Sequence, residues 1–489
     1  MIFYLIAVII LLIYLFFKKT FSFWKDHGFP YIKGSFPMGS LGSVRTKEAM
    51  CEFMRREYDN YKNKGPAFGI YFMTRPALVI TDLDLLKEVL IGSFDNFYHK
   101  GFEFDEKTDP LWSNLATINN LEQWKILRAK ISPTFTSGKM KMMFPIVLEC
   151  ADRLIEYIKE VNHENLEMKE IFSALTTEVI GNIAFGLNVK CIGNPGSEFK
   201  KITKRVFEPT NWDNFKFLFM FALPKVGKIF NMSINPKFIT DYFLDIVSSN
   251  LEYREKNNIQ RNDFFQLLIN IKNSEQGMTL NEMTANCFIF FLAGFETSSS
   301  VLTFCSYELA LNQDIQNRLR MEIDEVLKKH REEVTYDSIA EMKYLTKVIN
   351  ETMRKYPIFD TGMRQSSRDF KIPNSDLLIP GKTMIMIPAI GLHYDDRFYK
   401  NPDKFDPERF NEEHVQNRNP FAFIPFSDGP RNCIGLRFGL MEIKIAIVRL
   451  LRSFSIHPCS KTLIPMQYSL TSNFQSPKDG CWLKLEKLR

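Results

Sequence analysis

The chain has 489 residues, more than one simple domain usually holds, yet no linker rich in Pro, Gly or Ser divides its middle. Hydrophobic residues at 45% and charged residues at 25% fit a globular protein with a sizeable core, and a net charge of +6 without a basic block argues against nucleic-acid binding. The eight cysteines (51, 150, 191, 287, 305, 433, 459 and 481) show no CxxC or metal-type spacing and no disulfide-rich module, which suits a reducing compartment. The 45 phenylalanines supply flat apolar surface for a core and for a lipophilic pocket.

Met1 to Phe17 is uncharged and almost wholly apolar, and Lys18-Lys19 comes directly after it. A bilayer takes about 20 such residues, so the run spans one if Thr20 to Trp24 enters the interface. No basic start and no small-residue cleavage site marks a cleaved signal. Residues 1–19 therefore read as a retained anchor, with the lysines and the rest of the chain on the cytoplasmic side. Residues 20–45 carry Phe29-Pro30-Tyr31 and Phe36-Pro37-Met38-Gly39 and read as a linker with a stiff proline hinge. Residues 46–489 read as one large domain.

Phe68 to Phe72 and Ala77 to Thr81, joined by a turn at Thr74-Arg75-Pro76, predict a hairpin. Helical spacing of apolar residues predicts helices over Phe144 to Val161 and Leu166 to Phe185, and another begins near Leu280. Leu311 to His330 adds the i,i+4 pairs Asp324 with Lys328 and Glu325 with Lys329. Asn257 to Asn262 and Lys272 to Gly277 read as exposed connections, and Thr383 to Ile387 as a strand. The fold class is mainly α with a small β-sheet.

Chemistry gathers in a few places. Phe426-Ser427-Asp428-Gly429-Pro430-Arg431-Asn432-Cys433-Ile434-Gly435 sets one cysteine in a turn between two glycines, with an arginine two residues before it. Cys433 would give an anionic sulfur to a haem iron. Gly429 would take the turn, Gly435 would let the next helix approach the macrocycle, and Arg431 would pair with a propionate. The plainer reading of Cys433 alone is a free cysteine at a loop-to-helix junction. Ala293-Gly294-Phe295-Glu296-Thr297-Ser298 offers small residues beside a hydroxyl and a carboxylate, which suits either a diatomic ligand with proton relay or a close helix contact with Glu296 paired elsewhere.

The stretch Phe-x-x-Gly-x-Arg-x-Cys-x-Gly is complete and resembles the haem-binding signature of the cytochromes P450. Pro133-Thr134-Phe135-Thr136-Ser137-Gly138-Lys139-Met140-Lys141 and Glu351-Thr352-Met353-Arg354-Lys355-Tyr356-Pro357 make the chain similar to the insect family-six microsomal enzymes. The resemblance implies the cytochrome P450 fold, haem b held by Cys433, and dioxygen activation assisted by Ala293, Gly294, Glu296 and Thr297. It implies a structural triad of Glu351, Arg354 and Arg409, which would otherwise read as surface charge. Trp124, Arg128 and Arg364 join Arg431 as propionate candidates, with Phe426 and Gly435 beside the haem.

No nicotinamide or flavin fingerprint is present, so electrons would come from NADPH through cytochrome P450 reductase, with cytochrome b-five as a second donor. Lys125, Lys130, Lys139, Lys141 and Arg437 would steer that partner. By family position the pocket lining is Phe102 to Thr117 with Phe104, parts of Val206 to Phe243, Phe288 to Phe291 with Phe290, Ile358 to Met363 with Phe359 and Asp360, and Thr471 to Phe474. Relatives usually have a second proline after Pro357, where this chain has Ile358; Asp360 could bind a basic substrate or only face solvent. The expected activity is oxidation of lipophilic small molecules, xenobiotics or endogenous lipids, at the endoplasmic reticulum. A peroxide isomerase or dehydratase, or a haem-dependent carrier without turnover, would be the alternatives; the intact Gly294 to Thr297 stretch argues against the former.

Overall fold

The apolar amino terminus folds as one helix, Ile2–Thr20, with no buried residue and with Lys18 and Lys19 in its last turn. The next segment departs from the linker expectation. Trp24 is fully buried, its indole N–H donates to the Ile70 carbonyl at 3.0 Å, and a Cβ on Gly69 would fall 2.2 Å from its ring. Phe29, Leu41 and Val44 are buried as well. Residues 20–45 are thus part of the folded body, because their aromatic and aliphatic side chains bury surface that the prolines alone would not.

The computed structural model describes every residue except 195, 209, 223–226, 228–229, 276, 473 and 489. Strands Ala67–Phe72 and Arg75–Ile80 form the expected hairpin. Arg75–Ile80 pairs in parallel with Met384–Ile387, which pairs antiparallel with Gly362–Gln365, completing a four-stranded sheet. A parallel partner so distant in sequence requires a long crossover, and here the helical body supplies it.

Helix Ser137–Glu160 starts a turn and more before Phe144 and runs through Pro145, its buried face already set by Met140, Met143 and Phe144. Leu166–Glu167 is instead a short strand on Trp482–Lys487, and the next helix, Met168–Ala184, begins where the Glu167 carboxylate accepts from the Lys169 and Glu170 N–H groups. The central helix Leu280–Leu311 opens on a capping box between Thr279 and Glu282 and is buried over most of its 32 residues. Asn312 separates it from Gln313–Lys329, where Glu325 and Lys329 pair at 2.9 Å while Asp324 acts on Arg320. Around the central helix pack Met168–Ala184, Lys343–Lys355 and Leu436–Ser453, so anything held by these elements lies deep in the molecule.

Candidate active site

The loop before helix Leu436–Ser453 is shaped by backbone contacts. Gly429 sits at φ +74°, and a Cβ there would meet the Leu90 carbonyl oxygen at 2.1 Å, so only glycine fits. Cys433 N–H donates to the Phe426 carbonyl at 2.9 Å, while Arg128 donates to the Asn432 carbonyl at 3.2 Å and to its side-chain oxygen at 2.8 Å. Gly435 is the N-cap of the following helix, which puts Cys433 at a positive helix end.

Cys433 is exposed by surface area, yet burial pushes its thiol up. Both hold for a sulfur on the wall of an internal space. The Gly435 N–H, Arg128 and Lys100 act the other way and favour the thiolate.

Beside this sulfur stand cations that, among the described residues, have no anionic partner. Arg364 is 2% exposed; it donates to the Met363 carbonyl at 2.8 Å and the Ser427 hydroxyl at 3.3 Å, and burial lowers its pKa to about 10. Arg431 lies over the Trp124 ring at 4.7 Å, donates to the Ala116 and Ile118 carbonyls, and is lowered to about 9 by burial and by Arg364. The Nε of each arginine is buried without a partner. Lys100 is pushed well down by burial, Arg364 and Arg431, and His99 falls to about 4 through burial, Arg431 and Arg75. Mutually repelling, desolvated cations are costly unless an anionic group joins them. Two propionates would do so. Arg128, through its bonds to Asn432, also steadies the cysteine loop, and the Trp124 ring lies under Arg431, so both candidates border the same cluster of cations.

The central helix offers a single accessible stripe toward the same interior: Ile289, Leu292, Ala293, Gly294 and Thr297 are open or half-open while their neighbours are buried. Thr297 Oγ1 donates to the Ala293 carbonyl at 2.5 Å. A Cβ on Gly294 would lie 2.4 Å from Ile180 Cδ1, so this glycine is fixed by close packing against Met168–Ala184. Glu296 turns to that helix too: Lys169 Nζ donates to it at 2.8 Å and to Ser299 and Ser300 at 3.0 and 2.7 Å.

Phe291, Phe288 and Phe290 do not line the space. Phe291 is fully buried in a ring cluster with Phe185, Phe199, Phe207 and Phe243, because a helix through the middle of a protein buries most of its circumference. The wall that does open was readable one helical turn before Ala293, at Ile289. Lys100, a single lysine in a loop, carried no such signal. Glu442 was missed as well: fully buried, with neither carboxylate oxygen partnered, it is raised to about 8 by burial, and the Ser298 hydroxyl acts against that rise.

Phe102 and Phe104 stack at 6.0 Å and, with Gly101, Phe217, Met220 and Ile234, line a small cleft of about 20 Å³. Phe359 is 55% exposed and meets Phe474 edge-on at 5.3 Å. Asp360 is half-buried by surface area, and burial lifts its carboxyl to about 6. Of the expected lining, residues 209, 223–226, 228–229 and 473 lie outside the described residues. Glu351 and Arg354 are fully buried and paired at 2.7 Å, and Arg409 reaches Glu351 at 3.3 Å; Arg354 also donates to the His393 and Pro402 carbonyls at 2.9 and 2.8 Å. Of the surface cations, Lys125 pairs with Glu122, Lys141 with Asp337, and Lys130 donates to the Gly277 carbonyl; Arg437 is exposed and Lys139 half-exposed.

The family model for Cytochrome P450 matches residues 33–484. Cytochrome P450 6A1 of Musca domestica is 38% identical over 99% of this chain and 98% of its own length. Cytochrome P450 6a2 of Drosophila melanogaster is 37% identical over 100% and 99%, and Probable cytochrome P450 6a20 of the same fly 38% over 96% and 96%. The chain belongs to the cytochrome P450 family. It is a monooxygenase of the haem-iron class, and its residues fit that cofactor: a thiol that burial holds up but that the Gly435 N–H, Arg128 and Lys100 pull toward the thiolate, cations wanting two carboxylates, and a helix face of small side chains.

Proposed function

We propose that this chain is an endoplasmic-reticulum monooxygenase, its catalytic body on the cytoplasmic side, that inserts one atom of dioxygen into flat lipophilic small molecules, foreign compounds among them. Electrons come from NADPH through a separate flavoprotein reductase, with cytochrome b-five as a second donor. The observation that carries this reading is the meeting of Cys433, the unneutralised Arg364, Arg431 and Lys100, and the Ala293 to Thr297 face on one interior. The bare apolar helix Ile2–Thr20 ending in lysines supports membrane anchoring.

When bound, haem supplies the oxidation of unactivated carbon that no side chain here can perform. Cys433 would ligate its iron, and Arg364, Arg431 and Lys100 would hold its propionates. Thr297 holds its hydroxyl against the Ala293 carbonyl, which leaves its oxygen as an acceptor turned to the open stripe. A proton reaching that hydroxyl can pass to whatever lies against Ala293. Aromatic surfaces at Phe102, Phe104 and the half-exposed Phe359 favour flat apolar substrates. Exposed Lys125, Lys141 and Arg437, on elements flanking the Cys433 loop, would steer an acidic partner.

The test is reconstitution with NADPH and an insect reductase in the presence of labelled dioxygen and a panel of lipophilic aromatics. One labelled oxygen atom should enter product, with NADPH consumed. Product formed without NADPH use would favour an isomerase on the same fold.

A further inference from the structure

Thr297 holds its hydroxyl at the open stripe, and any proton it passes inward has to be replaced from water outside the central helix. The side chain before it in sequence leads outward. Glu296 is 8% exposed and is held from the neighbouring helix by Lys169, in the first turn of Met168–Ala184. An ammonium has three N–H groups, and here each is used: one donates to Glu296 Oε1 at 2.8 Å, one to Ser299 Oγ at 3.0 Å and one to Ser300 Oγ at 2.7 Å. Ser300 Oγ in turn donates to Glu296 Oε1 at 3.3 Å.

The lysine stands in an unfavourable place. The start of a helix repels a cation, and burial weakens the basicity of Lys169, with Glu296 first and Glu167 next acting the other way. Such a pair adds little net stability over an apolar contact. It does fix a geometry. The two helices are already locked together where Gly294 meets Ile180, and the side chains of Lys169 and Glu296 keep 17% and 10% of their surface open. The pair therefore joins the flank of Met168–Ala184 to the residue next to Thr297 without being sealed from water.

We propose that Lys169 is the positioning residue of proton supply: it fastens Glu296 as a carboxylate at the outer end of a polar path, which carries solvent protons past the central helix to Thr297. This rests on the monooxygenase reading and adds the route by which the Thr297 hydroxyl is resupplied. In each passage Glu296 takes one proton from solvent and gives one on toward that hydroxyl, so its carboxylate is restored and no electron moves. Lys169 acts through Glu296 alone.

The experiment uses the full-length haem-loaded protein with reductase, NADPH and the panel aromatic that the wild type oxidises, and reads product and peroxide per NADPH. Lys169→Gln keeps a hydrogen-bonding side chain but drops the charge; product per NADPH should fall at least about threefold while peroxide rises. Glu296→Gln should do the same, and the two together should lose no more than Glu296→Gln alone. Lys169→Arg keeps the charge and should retain at least about half of the wild-type coupling. A Lys169→Gln protein coupled like the wild type overturns the proposal, as does a double variant whose loss is the product of the single losses, or a Lys169→Arg protein that loses as much as Lys169→Gln. Denaturant unfolding of the wild type, the two neutral singles and the double reads the pair without turnover. The midpoint should drop less in the double than the sum of the single drops; additive drops would mean that Lys169 does not hold Glu296. If Glu296→Gln couples like the wild type while labelled oxygen still enters product, the proposal fails and the monooxygenase reading stands. If the wild type puts no labelled oxygen into any product, both fall.

Discussion

At the residue scale, the site is built from groups whose ordinary charge states are unfavourable without their partners. Among the described residues Arg364, Arg431 and Lys100 have no anionic side chain beside them. Glu442 is the sharpest case that needs no ligand to test. Its folded carboxyl titrates at about 8 against an ordinary 4.5, so between these values the native state keeps a proton that the unfolded chain has released. Its contribution is therefore fully present below pH 4.5, and raising the pH toward 8 removes it, by about 1.4 kcal/mol per pH unit at most. Glu442→Gln is neutral at every pH and abolishes that slope. Denaturant unfolding from pH 5 to 8 should show wild-type stability falling relative to the variant; parallel curves would mean that Glu442 is ionised in the fold.

At the element scale, the central helix does several jobs with different faces, and the sequence showed the jobs more clearly than the faces. Its start near Leu280 was readable from the onset of the apolar run, and Ala293-Gly294 because they follow directly on the bulky stretch Phe288 to Leu292. Which phenylalanines face the interior was not, since Phe288, Phe290 and Phe291 are as apolar as a pocket wall and only packing by Met168–Ala184 and its neighbours closes them off. Gly294 is a packing residue, and its geometry sets the expected effect of a substitution. Gly294→Ala gains helix propensity worth about 1 kcal/mol but drives a methyl onto Ile180 Cδ1, an overpacking cost of about 1–3 kcal/mol. The variant should unfold at lower denaturant concentration, and Ile180→Val in the same background should recover the loss. A Gly294→Ala protein more stable than wild type would show that the two helices have room to spare.

At the scale of the whole molecule, the site is made of distant segments brought to meet. The cysteine loop, the Lys100 loop, Arg364 on the sheet and the central helix are widely separated in sequence and share one interior. The fold class, the hairpin, the cysteine loop and the buried triad of Glu351, Arg354 and Arg409 could be read from local patterns and family resemblance. The packing of residues 20–45 and the place of Lys100 beside Cys433, Arg364 and Arg431 could not, because each depends on what another part of the chain brings alongside. The central claim is that Cys433 ligates haem iron as a thiolate. The measurement that tests it is the absorption spectrum of the reduced carbon monoxide complex of wild type and Cys433→Ala. The wild type should show the strongly red-shifted Soret band of thiolate ligation and the variant should lose it; a variant that keeps the band would contradict the assignment.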